Sequence, residues 1–318
     1  MNLKSIKAGS NALTLTVTGT NTITFSDVLI GDVWVASGQS NMEFHLASAN
    51  TGTGAIETGN QPMIRLFMVP HATAARPQAD IGSVAPATQA YQGKWMVCSP
   101  ETLAQNVSAV AYFFGRDIQK FTGLPVGLIE TNWGGTPAEA WTSYEGLQAT
   151  PQLARYVEQH QQLLAGYDAA LVVYPQTLQA FQQEHDEWLK LGKPTNDAAF
   201  AKWSAENKAA VAARQSELPR PTMIPEPQKP DLAGGPGHPT ALFNGMTAPL
   251  VLYGIKGAIW YQGEANGSRG LECRYLFRAI IQSWREKWGQ GDFPFLFVQL
   301  PDFQSPWGFF HGLHSIRN

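Results

Sequence analysis

The chain contains the stretch Asp32-Val33-Trp34-Val35-Ala36-Ser37-Gly38-Gln39-Ser40-Asn41-Met42, which indicates its fold class. Residues 33–36 form a short apolar run, as expected for a strand that is buried on both faces. A Gly-Gln-Ser turn follows directly, and the ligand sites of α/β proteins lie at the carboxyl ends of such strands. The stretch therefore predicts a buried parallel strand whose carboxyl end carries a serine.

Similar apolar runs recur along the chain and alternate with helical patterns. They predict further strands at residues 63–69, 125–129, 255–261 and 293–300. Apolar residues at helical spacing predict helices over 107–121 and 275–288. Strands that alternate with helices are typical of a parallel sheet with helices on both faces, so we predict an α/β fold.

Three segments differ from this alternation. Residues 12–25 alternate Thr with aliphatic side chains around a Gly-containing turn, which predicts a short N-terminal β-hairpin. Residues 144–218 are rich in Gln, Ala, Glu and Leu, and apart from the strand-like run 171–174 they predict a helical insertion. Residues 219–240 are rich in proline and predict an ordered loop or linker.

Composition excludes several classes of protein. Charged residues make up 15% of the 318 residues and the formal net charge is −3, so the chain lacks the electrostatic footprint of a nucleic-acid-binding protein. It has no apolar run of about 20 residues, and therefore no predicted membrane span. Its first 25 residues lack the apolar core of a signal peptide. Cys98 and Cys273 can form at most one disulfide. Two cysteines are also too few for a cysteine-based zinc site.

Ser40 is the first candidate for chemistry. A serine on a sharp turn between a strand and a helix exposes its hydroxyl group, and its own backbone N–H can bind an oxyanion. Gly38 allows the backbone to turn tightly. The α/β-hydrolase elbow would need glycine at position 42 as well, and Met42 breaks that pattern. An ordinary turn without catalytic function is the alternative.

The second candidate block is residues 131–139. Thr136, Pro137 and Glu139 have the spacing of a capping box at a helix N-terminus. The pair Gly134-Gly135 exposes backbone N–H groups beside that terminus, which suits a developing anion. A well-capped helix that follows a glycine turn is the alternative.

The third block is residues 260–266. Gln262 can donate a hydrogen bond, and Glu264 can orient a base or accept a proton. Ordinary loop polarity is the alternative. It is weakened because three predicted strands end in polar blocks, and we expect all three blocks to meet at one edge of the sheet.

These blocks together resemble the sialate O-acetylesterase family. The resemblance covers roughly residues 28–303 and is carried by Gly31–Met42, Trp133–Thr136 with Glu139 and Trp141, Leu242–Met246, Trp260–Asn266 and Phe293–Leu300. Members of this family are SGNH-type carbohydrate esterases, related to some acetylxylan esterases. The resemblance implies a three-layer α/β/α flavodoxin-like SGNH hydrolase fold and hydrolysis of acetyl esters on sugars.

The resemblance also implies residue roles. Ser40 is the expected nucleophile, which forms an acetyl-enzyme. The backbone N–H groups of Ser40 and Gly135 and the side chain of Gln262 form the expected oxyanion hole. Glu264 is the expected partner of the catalytic base. No metal or organic cofactor is implied, and the expected substrate is an acetylated carbohydrate or a small acyl ester.

The chain departs from the family pattern at both ends. Family members carry a β-rich domain before the first block, so we interpret residues 1–27 as the hairpin remnant of that domain and residues 28–318 as the hydrolase domain. They also carry a C-terminal Asp-x-x-His block that supplies the catalytic histidine. Neither His311 nor His314 follows an aspartate at that spacing. We expect a truncated or altered C-terminus and take His314 as the candidate base, with His311 as its alternative.

Two other functions stay open at this stage. One is a catalytically weak or inactive relic that binds acetylated sugars, which the missing histidine block favours. The other is a general short-chain carboxylesterase without sugar preference. The helical insertion is expected to form a wall or lid over the site, or a contact between copies of the chain. The oligomeric state and the localisation stay open, because related enzymes are commonly exported and this chain shows no export signal.

Overall fold

We describe the protein from a computed structural model, which covers residues 6–81 and 93–300 and the backbone of residues 303–305 and 308–310. The predicted hairpin is confirmed: strands β1 (Gly9–Thr18) and β2 (Thr22–Ile30) pair antiparallel. Most of its side chains are exposed. β2 extends past the predicted boundary at residue 27, where Asp27 forms an ion pair with Arg65 at 2.9 Å.

A six-stranded sheet forms the centre of the protein. Its strands, in chain order, are β3 (Asp32–Gly38), β4 (Gln61–Met68), β5 (Trp95–Cys98), β6 (Val126–Asn132), β7 (Gly257–Tyr261) and β8 (Phe295–Phe297). Their spatial order is β5-β4-β6-β3-β7-β8, and only β5 runs antiparallel to its neighbour. The predicted parallel sheet is therefore confirmed, with β3 between β6 and β7.

Helices connect the strands. They are α1 (Ser40–Glu43), α2 (Gly52–Glu57), α3 (Pro100–Leu103), α4 (Ala109–Thr122), α5 (Tyr144–Gln148), α6 (Ala154–Glu187), α7 (Lys193–Ala212) and α8 (Gly270–Trp288). Ser108 caps the start of α4 by accepting the N–H of Ala111 at 3.1 Å. Gly123, in the left-handed conformation at φ 68°, ends this helix as the sequence predicts.

The sheet separates two apolar cores. Val35 of β3 points into one core, together with Trp260, Ile280 and Trp284. Trp34 and Ala36 point into the other core, with Met42, Leu66, Leu128 and Tyr112. Because neighbouring residues of a strand face opposite sides, a nearly continuous apolar run fills both cores. The three-layer α/β/α architecture predicted for this chain is confirmed.

The chain divides into two compact units. Residues 1–163 and 233–318 form the first unit, and residues 164–232 form the second. The second unit contains most of α6, all of α7 and much of the proline-rich segment. Its limits differ from those of the predicted insertion at 144–218, because residues 144–163 are part of the first unit.

Two local predictions are wrong. The strand-like run at 171–174 lies inside the long helix α6 and is largely exposed. The predicted capping box at Thr136 is absent: the segment Ala138–Trp141 is a short 3₁₀ helix without a side-chain cap. The Thr136 hydroxyl instead donates to the carbonyl of Trp133 at 2.6 Å, and Glu139 accepts from Asn266 at 2.8 Å.

Candidate functional site

The three polar blocks meet at one edge of the sheet, as predicted. Gly38, the last residue of β3, is in register with Asn132 of β6 and with Tyr261 of β7. Two backbone hydrogen bonds continue the pairing past the strands. Gln39 N–H donates to Tyr261 O at 3.0 Å, and Trp133 N–H donates to Gly38 O at 3.1 Å. The segments after these strands therefore begin side by side.

Gly38 is required at the turn between β3 and α1. Its φ is 142°, a conformation that L side chains rarely adopt. A Cβ at this position would lie 2.1 Å from the carbonyl oxygen of Tyr261. The close approach of the two backbones therefore depends on glycine.

Ser40 is the first residue of α1, and its side chain is exposed at the end of β3. The backbone N–H at this position of a helix has no intrahelical acceptor. The turn after β6 lies beside it: a Cβ placed on Gly134 would be 3.6 Å from Ser40 Cβ. An exposed hydroxyl, a helix-terminal N–H and a glycine turn therefore lie together.

The two glycines of that turn differ in their environment. Gly134 N–H donates to Glu43 Oε2 at 2.5 Å. Gly135 is exposed, has φ 75°, and within the described part of the chain no atom would lie within 4 Å of a Cβ placed on it. The N–H of Gly134 therefore already has a carboxylate acceptor, whereas Gly135 is the exposed glycine of the turn.

Glu43 also contacts a histidine that the sequence analysis did not single out. Its Oε1 lies 3.4 Å from Nε2 of His71. The same Nε2 contacts the carbonyl of Asn132 at 2.9 Å, and the ring stacks on Trp133 with centroids 4.1 Å apart. Burial acts to raise the pKa of Glu43, but the interaction with His71, the hydrogen bond from Gly134 and the charge of His45 together outweigh it and leave that pKa lowered.

The loop after β7 is attached to the residues around Ser40. Gln39 Oε1 accepts hydrogen bonds from Gly263 N–H at 3.3 Å and from Ala265 N–H at 3.1 Å. Asn41 Nδ2 donates to Glu264 Oε1, and the Glu264 side chain is exposed. Glu264 and Ser40 are thus brought to the same side of the sheet edge through the neighbours of Ser40.

Gln262 is buried, and its amide takes part in a polar network. Its Nε2 donates to Asn266 Oδ1 at 2.6 Å and to Thr136 O at 3.3 Å. Asn266 also accepts from Ala138 N–H at 2.8 Å and donates to Glu139, which pairs with Arg269 at 2.9 Å. Both hydrogens of the Gln262 amide are therefore donated inside the protein in this conformation.

The histidines fall into separate groups. His311 and His314 lie outside the described residues. His160 and His238 are buried, with ring centroids 5.6 Å apart, and burial lowers the pKa of His160 to about 4. His185 contacts Glu226 at 3.1 Å in the second unit. Among the described histidines, His71 lies beside this turn, where it hydrogen-bonds the carbonyl of Asn132 and stacks on Trp133.

Glu43 and Asn266 could have been found from their spacing. Glu43 follows Ser40 by three residues, which places both on one face of a helix. Asn266 follows Gln262 by four residues, at the end of the same block. His71 gave no such signal, because it reaches the site from the segment after β4.

The described residues contain no group of three or more His, Cys, Asp or Glu side chains arranged to hold a metal ion. No helix in the described ranges is long and apolar enough to cross a membrane.

The chain is similar to sialate O-acetylesterases. It is 29% identical over 296 residues to the protein of that name from Rattus norvegicus and 26% identical over 292 residues to the one from Homo sapiens. These alignments cover 89% and 88% of this chain but only 45% and 41% of the relatives. The chain thus spans less than half the length of these relatives. The resemblance predicted from the sequence is confirmed.

The fold is also that of a solved carbohydrate esterase. A crystal structure described as a novel carbohydrate acetylesterase from Xanthomonas citri matches with a TM-score of 0.62 and 28% identity. The match covers 95% of this chain and 49% of that one. A comparison with models of protein families finds no match.

Proposed function

We propose that this protein is a serine esterase that removes O-acetyl groups from carbohydrates, of the sialic acid or xylan type. The observation that carries the proposal is the meeting of Ser40, the Gly134-Gly135 turn and the Gln262–Glu264 loop at the carboxyl edge of the sheet. The names of the relatives, sialate O-acetylesterase and carbohydrate acetylesterase, support the substrate class. No cofactor is needed for this chemistry.

The reaction has two steps. Ser40 Oγ attacks the acetyl carbonyl carbon while a base removes its proton, and the sugar oxygen leaves with a proton. Water then attacks the resulting acetyl-Ser40 ester and releases acetate. Because Ser40 is exposed at the start of α1, a bulky sugar ester can approach it without rearrangement of the sheet.

The oxyanion is bound by the backbone N–H groups of Ser40 and Gly135. Gln262 is the third proposed donor, and in the described conformation its amide is engaged by Asn266 and Thr136. An oxyanion must replace one of these acceptors. Thr136 O, at 3.3 Å, is the longer and weaker contact, so we expect the Gln262 amide to exchange this one and keep its 2.6 Å contact to Asn266.

His314 is the proposed base, with His311 as the alternative, and Glu264 is its proposed partner. Glu264 is exposed at the site edge and held by Asn41. An exposed carboxylate held beside the nucleophile can orient an imidazole and stabilise its charged form.

The proposal is tested by comparing three forms of the protein: wild type, Ser40→Ala and Ser48→Ala. Ser48 is an exposed serine in the turn 46–48 and serves as the matched control. We expect wild type and Ser48→Ala to release acetate from p-nitrophenyl acetate and from O-acetylated sialic acid or acetylxylan. Loss of a triad member costs on the order of 10⁶ in kcat in subtilisin, so Ser40→Ala should have no measurable turnover.

The outcomes separate the competing functions. Hydrolysis of short acyl p-nitrophenyl esters without deacetylation of any sugar would indicate a general carboxylesterase. Binding of acetylated sugar without turnover would indicate a binding relic. Full activity of Ser40→Ala would overturn the proposal.

The base is tested by His314→Ala and His311→Ala. The variant that lacks the true base should lose activity nearly as completely as Ser40→Ala, while the activity of the other variant stays close to that of wild type. If both variants keep full activity, the base lies elsewhere and the assignment of His314 is wrong.

A further inference from the structure

We propose that Glu43 is a positioning residue that fixes the oxyanion turn against the nucleophile helix. The inference rests on the proposed function, because it assigns a role to Glu43 in the reaction of Ser40. Glu43 belongs to the same helix as Ser40, and its carboxylate binds the turn that carries Gly135.

The contacts of Glu43 place it between the two elements that must be aligned. Its Oε2 accepts the Gly134 N–H at 2.5 Å, and a Cβ placed on Gly134 would meet the same oxygen at 2.8 Å. Hydrogen bonds to an ionised carboxylate are shorter and stronger than those between neutral groups. One short bond therefore joins α1 to the residue that precedes Gly135.

His71 holds the other oxygen of Glu43. Its Nε2 lies 3.4 Å from Oε1 and 2.9 Å from the carbonyl of Asn132, the residue that ends β6. A carbonyl only accepts, so Nε2 carries the proton. The ring stacks on Trp133 within 5° of parallel, which fixes its plane. His71 thereby couples the carboxylate to the strand end from which the turn begins.

The charge of Glu43 is maintained by its surroundings. Two histidines, His71 and His45, interact electrostatically with the Glu43 carboxylate, and both interactions favour its ionised form. Burial opposes ionisation, but the two histidines together with the hydrogen bond from Gly134 lower the pKa of Glu43 overall. Glu43 is therefore ionised at neutral pH and accepts the N–H of Gly134 as an anion.

The position of Gly135 follows from this arrangement. Gly135 is exposed, and a Cβ placed on it would meet no described atom within 4 Å. The bond from Gly134 to Glu43 holds the residue directly before Gly135 against α1. Without this bond the turn is held at Trp133, whose N–H donates to Gly38 O, and we expect the residues after Trp133 to shift relative to Ser40. Misplacement by about 1 Å can cost on the order of 10² in rate.

The kinetic test uses Glu43→Ala, Glu43→Gln and the control Glu57→Gln. Glu57 is an exposed glutamate at the end of α2. We expect Glu43→Ala to lower kcat by about 10- to 100-fold with little change in KM, because alignment is lost but binding is not. Glu43→Gln keeps an acceptor for the Gly134 N–H and should recover most of kcat. Glu57→Gln should equal wild type.

A second test measures the hydrogen bond of the turn by NMR and does not depend on enzymatic activity. Labelling with ¹³C-carbonyl Trp and ¹⁵N-Gly selects the amides of glycines that follow tryptophan, which in this sequence are Gly134, Gly289 and Gly308. We expect the Gly134 amide proton to lie far downfield in wild type, to move upfield in Glu43→Gln and furthest in Glu43→Ala. Gly289, whose N–H donates to Arg285 O at 3.0 Å, should not move and thereby reports that the variants are folded.

The two tests distinguish two failures. If wild type is inactive but the Gly134 amide signal moves in the Glu43 variants, the contact between Glu43 and Gly134 is upheld and the proposed function fails. If wild type is active, and Glu43→Ala changes neither kcat nor the Gly134 signal, the positioning role is overturned. A Gly134 response without any change in kcat would also overturn it, since the contact would then be purely structural.

Discussion

Glu130 is a carboxyl group in the interior of the sheet that the proposed reaction does not use. It belongs to β6, is 5% exposed, and accepts the N–H of Ser108 at 3.0 Å through Oε2. Its other oxygen has no hydrogen-bond partner among the described residues. Burial, opposed only by the bond from Ser108, raises the pKa of Glu130 to about 7.

We predict that Glu130→Gln removes a pH dependence of stability. The folded state keeps the proton up to about pH 7, whereas an unfolded glutamate releases it near 4.5. Wild type should therefore lose stability relative to Glu130→Gln as pH rises through this window, by about 3 kcal/mol in total. Urea unfolding at intervals from pH 4.5 to 8 measures the difference between the two proteins. Equal slopes in wild type and Glu130→Gln would refute the prediction, and Glu57→Gln should behave as wild type.

At the scale of residues, the sequence predicted where the site residues lie better than it predicted their hydrogen-bond partners. Ser40 and Gly135 are exposed at the sheet edge, as strand-end residues are expected to be. The contact of Gln262 with Thr136 O could not be foreseen, because it joins two residues that are far apart in the chain. The bond from Glu43 to Gly134 likewise joins residues far apart in the chain, and no local pattern encodes it.

Among the connecting elements, one buried amide links the loop after β7 to the segment Ala138–Trp141. Asn266 is fully buried and makes three hydrogen bonds: it accepts from Ala138 and Gln262 and donates to Glu139. Each of these partners would lose one hydrogen bond if the amide were removed. Leaving a buried polar group unsatisfied costs about 1–3 kcal/mol, and more for a charged group such as Glu139.

We predict that Asn266→Leu destabilises the protein by about 3 kcal/mol, since three buried polar groups each lose one hydrogen bond. Asn266→Asp should also be destabilising, because it places a second carboxylate against Glu139. Thermal and urea unfolding measure both effects. The exposed Asn60 provides the control, and Asn60→Asp should change stability by less than about 0.5 kcal/mol. Variants of Asn266 as stable as Asn60→Asp would contradict the network.

Elements buried on both faces were the most predictable. The apolar runs of β3, β6 and β7 were each located to within a few residues, because a strand between two cores is apolar over most of its length. The run at 171–174 misled because its β-branched residues lie on the exposed surface of the long helix α6. The edge strand β5 gave no signal, since its side chains alternate between exposed and buried over only four residues.

For the molecule as a whole, stability depends on pH through a second buried group. His160 is 3% exposed and lies beside His238, Tyr144 and Thr240. Burial, followed by the repulsion of His238, lowers its pKa to about 4. The folded state therefore favours the neutral form of the His160 ring.

We predict that wild type loses stability relative to His160→Gln as pH falls from about 6.5 toward 4, because the unfolded state then binds a proton at His160 that the folded state does not bind. This contribution is opposite in sign to that of Glu130 and overlaps it in pH, so each is measured as the difference between wild type and its own variant. Above about pH 6.5 the difference between wild type and His160→Gln should level off. Thermal unfolding of both proteins between pH 4 and 8 measures this difference. A difference that does not change with pH would contradict the role of His160.

The overall architecture was predictable, and the extent of the whole protein was not. Three layers follow from apolar strands that alternate with amphipathic helices, whatever the loops contain. The chain covers less than half of its relatives, so the sequence alone gives no account of what their remaining residues contribute. The second compact unit is mostly helical and polar, a composition that predicts helices but gives no indication of their function.

The central claim is that Ser40 becomes acetylated during turnover. It is tested most directly by mixing the protein with p-nitrophenyl acetate, quenching in acid within the first turnover, and mapping acetylated peptides by mass spectrometry. We predict one acetyl group, on Ser40, in wild type and in Ser48→Ala, and none in Ser40→Ala. Acetate release without acetylation of Ser40, or equal acetylation of the Ser40→Ala protein at another residue, would contradict the claim.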